Sequence, residues 1–131
     1  MKLRIKGNSI RLRLTKTEIK LIESGVSVRE TVHFGPGVAL GYRLLPSPDA
    51  KTIRAEYSGH EVAVLLPMEV AKNWASSDEI ALKNTQALES DPEGLSLLIE
   101  KDFVCLKPRQ HQVEDETDLF ANPNEAHGHC G

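Results

Sequence analysis

The opening stretch "MKLRIKGNSIRLRL" leaves a chain little freedom. Leu3 and Ile5 alternate with Lys2, Arg4 and Lys6, and Ile10, Leu12 and Leu14 alternate with Arg11 and Arg13. A period of two is that of a strand with one buried face. Gly7-Asn8 between the two runs suits a two-residue turn with glycine first, the type II′ hairpin. That turn pairs Ile5 with Ile10 and Leu3 with Leu12 on the core face. It also sets Arg4 against Arg11 and Lys2 against Arg13, like charge against like charge, which destabilises a ladder by about 0.2 to 1 kcal/mol per pair. An anion is expected on that face.

A helix is predicted next, because Thr15 and Glu18 form a capping box and Leu14 and Ile19 a hydrophobic staple. Gly25 is its expected stop. "VSVRETVHF" and "VALGYRLL" read as strands around Gly35-Pro36-Gly37, and "TIRAEYSGHEVAVLLP" as a hairpin turning at Ser58-Gly59. Pro67 suits the first turn of a second short helix with Val70, Ala71 and Trp74 toward the core. "EIALKN" and "LSLLIEKDFVCL" complete the strands, separated by the turn "DPEG". The expected fold is α+β: an antiparallel sheet or open barrel of about eight strands with two short helices and an irregular C-terminal tail. Residues 1–106 form the α+β domain. Residues 107–131 are an acidic, His- and Cys-containing tail that wraps the domain or stays disordered. No internal repeat is visible.

The charge is unevenly spread. Residues 1–20 carry seven bases and one acid, residues 89–131 ten acids and three bases, and the chain as a whole is −3. A pI near 5.9 argues against a generic nucleic-acid binder. So does the lack of any Phe, Trp or Tyr before Phe34, since RNA-binding sheets stack bases on aromatics. There is no apolar run of membrane-spanning length and no signal-peptide pattern, so a soluble cytoplasmic protein is expected. Cys105 and Cys130 are too few for a disulfide scaffold.

The combination "MKLRIKGNSIRLRL", "HFGPG", "IEKDFVCLKPR" and "EDETDLFANPN" resembles, over most of the chain, a family of short bacterial hypothetical proteins. The resemblance implies a stand-alone cytosolic bacterial protein and transfers no activity to any residue.

Three functional classes stay open. The first is a binding or structural protein without catalysis. Its basic face of Lys2, Arg4, Lys6, Arg11 and Arg13 meets either the chain's own acidic segment, Glu114, Asp115, Glu116 and Asp118, or a bound anion. The second is a zinc-binding domain: His127, His129 and Cys130, with Cys105, supply a Cys2His2-type donor set for Zn²⁺. The third is a binder of phosphate compounds, or an enzyme resembling the triphosphate tunnel enzymes at fold level, with Glu56, Glu61 and Glu100 facing bases inside an open barrel. His33, His60 and His111 are isolated and read as surface or structural residues. With no phosphate loop, nucleophile elbow or HExxH, no catalytic residue is assigned. The pattern names neither a partner nor an oligomeric state.

Overall fold

A computed structural model describes residues 1–103. The first hairpin forms as its alternation requires. β1 (Lys2–Ile5) pairs antiparallel with β2 (Ser9–Leu14), with Leu3 opposite Leu12, Ile5 opposite Ile10, Lys2 opposite Arg13 and Arg4 opposite Arg11. Lys6 and Ser9 exchange backbone hydrogen bonds across the turn, where Gly7 alone takes a positive φ of 55°. α1 (Lys16–Glu23) starts at the Thr15–Glu18 capping box. It ends in a Schellman motif, Val26 N–H donating to the Leu21 carbonyl and Gly25 N–H to that of Ile22.

β3 (Val28–Gly35) and β4 (Val38–Ser47) form the second hairpin. β5 (Arg54–Ser58) and β6 (Glu61–Pro67) form the third. The third turns one residue later than expected, at Gly59-His60, with His60 itself in the left-handed region at φ 63°. α2 (Met68–Ser76) follows Pro67 directly and buries Ala71 and Trp74 completely. β7 (Ala81–Gln86) and β8 (Leu95–Lys101) close the described chain. Before β8, Gly94 N–H donates to the Asp91 carbonyl. A side chain at Gly94 would be strained at φ 75° and would press its Cβ to 2.5 Å from the Gln86 carbonyl.

The eight strands and two helices are as expected, but the sheet is not. There are two mixed four-stranded sheets, ordered β1-β2-β8-β7 and β3-β4-β6-β5, and neither closes into a barrel. Each sheet joins two antiparallel hairpins through a central parallel pair, β2 with β8 and β4 with β6. Antiparallel partners can be adjacent in sequence, whereas parallel partners need a crossover: β4 reaches β6 by way of β5, and β2 reaches β8 only after α1, the whole second sheet, α2 and β7. Local signals therefore mark the strands of each hairpin but not the order in which the sheets join them.

The order hides a repeat of topology. Hairpin, helix, hairpin occurs twice, as β1-β2-α1-β3-β4 and β5-β6-α2-β7-β8, and each sheet takes one hairpin from each half. The registers place Ser9 like Glu61 and Gly7 like Gly59, so Leu12 corresponds to Val64, Leu14 to Leu66 and Ile22 to Trp74. All six of these apolar side chains are buried in one core, with Leu44, Ile99, Val28 and Leu82 from the other hairpins. Neither half can complete a sheet alone.

Candidate functional site

Alternation puts the apolar residues of β2 inside, so Arg11 and Arg13 share the outer face with Lys2 and Arg4 of β1. The sheet order adds what pairing alone could not show. On β8, Glu100 lies beside Arg13, and Leu98 beside Arg11. On β7, Lys83 lies beside Leu98 and is exposed. The outer face thus carries Lys2, Arg4, Arg11, Arg13 and Lys83, with Lys6 at its turn.

Glu100 is the anion that makes the like-charge ladder tolerable. Its Oε1 accepts from Arg11 Nε at 2.6 Å and from Arg13 Nε at 2.7 Å, and Arg11 Nη2 adds a further contact. The Glu100 side chain is only 14 % exposed, and its carboxylate holds both guanidiniums against the sheet. Beyond the end of β8, Asp102 pairs with Lys2 at 3.1 Å. Arg4 and Lys6, both exposed, have no ion pair among the described residues, and neither has Lys83.

The second sheet carries a counterpart on its own outer face. Glu61 of β6 reaches over Gly41 of β4 to Arg29 of β3, whose Nε and Nη2 donate to Oε2 at 2.9 and 2.6 Å. Arg43 Nε stands 2.9 Å from Glu61 Oε1, without hydrogen-bond geometry. Glu56 pairs with Arg54 on the same strand. Glu56, Glu61 and Glu100 therefore do meet bases, but not inside a barrel. The two glutamate–arginine networks lie on outer faces, and no polar or charged side chain among the described residues is buried. An apolar core excludes unpaired charge because desolvation costs more than the fold can recover.

A third ionic cluster gathers around Met1. The Met1 ammonium is buried and bonds Glu18 and, at 3.1 Å, Glu30. Tyr42 donates its hydroxyl to the Met1 carbonyl at 3.2 Å. Burial by itself lowers the pKa of the amine, but hydrogen bonds to Glu18 and Glu30 more than reverse this, and it ends above 8.0. Burial likewise works to raise Glu18, yet the ammonium and the Thr15 cap hold it below 4.5. Tyr42 is pushed above 10.0 by burial and by Glu30. Glu18 shows in the sequence as a capping residue, and nothing there shows its second partner.

Several candidates fall outside the described residues: the acidic run Glu114, Asp115, Glu116 and Asp118, the zinc set Cys105, His127, His129 and Cys130, and His111. Among the described residues no group of three or more His, Cys, Asp or Glu is placed to hold a metal ion. His33 and His60 are exposed, on β3 and in the β5–β6 turn. No helix of the described residues is long and apolar enough to cross a membrane.

Fold and face together define an interleaved, two-sheet α+β protein with a basic outer face on its first sheet. The chain belongs to the family of unknown function DUF7009, whose model matches residues 1–124. That match takes in the acidic run and stops short of His127, His129 and Cys130. No curated protein and no solved structure matches the chain.

Proposed function

We propose that the protein is a non-catalytic binding domain whose outer β1-β2-β8-β7 face takes ligands bearing several phosphate-type oxyanions. The observation that supports this is the row Arg4, Arg11 and Lys83. Glu100 is committed to Arg11 and Arg13, whereas Arg4 and Lys83 stand exposed on either side with no ion pair among the described residues. Arginine forks bond oxyanions bidentately, and Arg11, held by Glu100, is already oriented. Neighbouring strands are about 4.8 Å apart, so Arg4 to Lys83 spans about 14 Å, enough for two or three phosphate groups. Among the described residues the four strands of this face carry no aromatic for stacking bases, which favours a phosphate chain over a nucleobase ligand.

Titration of the full chain with inorganic tripolyphosphate tests the reading. Binding is expected to weaken as salt rises, and Arg4→Gln or Lys83→Gln should each lower affinity about threefold to tenfold, the loss of one charge-assisted contact. Arg54→Gln, on the other sheet, should leave it unchanged. Equal affinities for all three variants would overturn the assignment of the face.

A further inference from the structure

Deepening the anion-binding reading on which it rests, we infer that the chain's own acidic segment, Glu114 to Asp118, docks on this basic face and competes with outside anions for it. Three observations carry the inference. The first is charge. Among the described residues Lys2, Arg4, Lys6, Arg11, Arg13 and Lys83 meet two carboxylates there, Glu100 and Asp102, an excess of four positive charges within that set; Glu114, Asp115, Glu116 and Asp118 bring four negative ones.

The second is direction. β8 lies inside the sheet, two strands from the β1 edge. As the chain leaves it, Asp102 N–H donates to the Leu14 carbonyl of β2 at 2.8 Å, and the Asp102 carboxylate passes β2 to reach Lys2 on β1. The exit is thus already drawn across the basic hairpin, on its outer face. The third is length. Glu114 lies eleven residues beyond Phe103. At about 3.3 Å per residue they span up to about 36 Å. The face measures only about 13 to 23 Å along its strands of four to seven residues, and about 14 Å across the four of them.

Tethering sets the size of the effect. A short linker gives an effective concentration on the order of 1 mM. If segment and face had a dissociation constant on the order of 0.1 mM, an outside anion would bind roughly tenfold more weakly than to the bare face. The segment then acts as a built-in competitor, and an outside anion displaces it at a concentration roughly tenfold higher than the bare face would need.

The test uses the full chain and a variant with Glu114→Gln, Asp115→Asn, Glu116→Gln and Asp118→Asn. A carbodiimide that joins amines to carboxylates should link Lys6 or Lys83 to residues 114–118, read by mass spectrometry, with the Lys2–Asp102 link as internal control. The variant should lose the segment links and bind tripolyphosphate about tenfold more tightly at low salt. If only the control link forms, or if both proteins bind the probe equally, the inference is overturned while the binding reading stands. Were neither protein to bind the probe, the ligand reading would fail, and the cross-links alone would decide the segment contact.

Discussion

Along one flank of the molecule the Met1 ammonium, Glu18, Glu30 and Tyr42 tie β1 to β3 and β4; along the other, side-chain amides tie β5 to β7. The repeat makes these flanks equivalent. Met1 precedes β1 as Ile53 precedes β5, and Glu30 sits on β3 where Asn84 sits on β7. In both, the carbonyl before the strand accepts a side-chain donor, Tyr42 for Met1 at 3.2 Å and Asn84 for Ile53 at 2.6 Å. Gln86 then acts as a piece of strand, taking Ala55 N–H at 2.6 Å and giving its own N–H to the Ala55 carbonyl at 3.1 Å. One seam is ionic and the other neutral. Closing two sheets at their edges requires donors and acceptors at fixed positions, and the topology accepts either chemistry. What differs is the dependence on pH.

The largest effects test whether the two halves are one cooperative unit. Trp74 and Ile22 occupy equivalent places on α2 and α1 and are both completely buried. Trp74→Ala should cost about 3 to 5 kcal/mol and Ile22→Ala about 2 to 5 kcal/mol, through lost burial and the cavities left. Because the sheets interleave, each should shift a single urea transition, read by circular dichroism in both variants and, in Ile22→Ala, by Trp74 fluorescence as well. A biphasic transition, one half melting before the other, would break the comparison.

Next comes the neutral seam. Gln86→Leu strands the Ala55 N–H and carbonyl at a partly buried edge, and a loss of about 1 to 3 kcal/mol is expected, flat between pH 4 and pH 9. A loss that varied with pH across that range would assign a titrating group to this seam.

How much of this was legible follows from how local each cause is. The first hairpin, its register and the like-charge pairs can be read from fourteen residues, because alternation and a glycine-first turn act between neighbours. The α1 cap and stop are just as local. Glu100 beside Arg11 and Arg13, Lys83 on the same face, and Glu61 over Gly41 depend on parallel pairs between residues far apart in sequence, with no local signature. The repeat is carried by positions rather than identities: Leu14 answers to Leu66, but Thr15 to Pro67 and Arg11 to Ala63. Inward apolar residues of differing shape can fill equivalent places in one core, so the two halves share positions without sharing letters.

The ionic seam should show its chemistry through pH. The Met1 amine has its pKa raised in the fold, so its contribution is complete below 8.0 and is lost as pH climbs through the folded value. Tyr42, also raised, adds to that alkaline loss above 10.0. Glu18 is lowered, so its contribution is complete above 4.5 and is lost as pH falls through its folded value. The melting temperature should therefore be flat between these limits and fall on both sides. Glu18→Gln, which still caps α1, should reduce both slopes. Identical profiles for the variant and the parent would mean that the ammonium does not depend on Glu18.

The smallest effect expected is at Gly41, whose counterpart in the first sheet is Ser96. A Cβ at Gly41 would stand 3.3 Å from Glu61 Oε2 and 3.4 Å from its Cγ, so the carboxylate must give way by a few tenths of an ångström. Arg29 and Arg43 resist that shift, but pairs at a sheet surface, even half-buried like Arg43 with Glu61, contribute only about 0 to 1 kcal/mol. Against it, replacing glycine inside a strand recovers about 0.5 to 1 kcal/mol of conformational entropy. The two terms are of equal size, and only the first is screened by salt. Gly41→Ala should thus be neutral to mildly destabilising in dilute buffer and stabilising in molar salt, whereas Ser96→Ala should stay within about 0.5 kcal/mol of the parent in both. Calorimetry at the two salt concentrations separates the cases. A salt-independent result at Gly41 would show that the Glu61 clamp does not set the cost there.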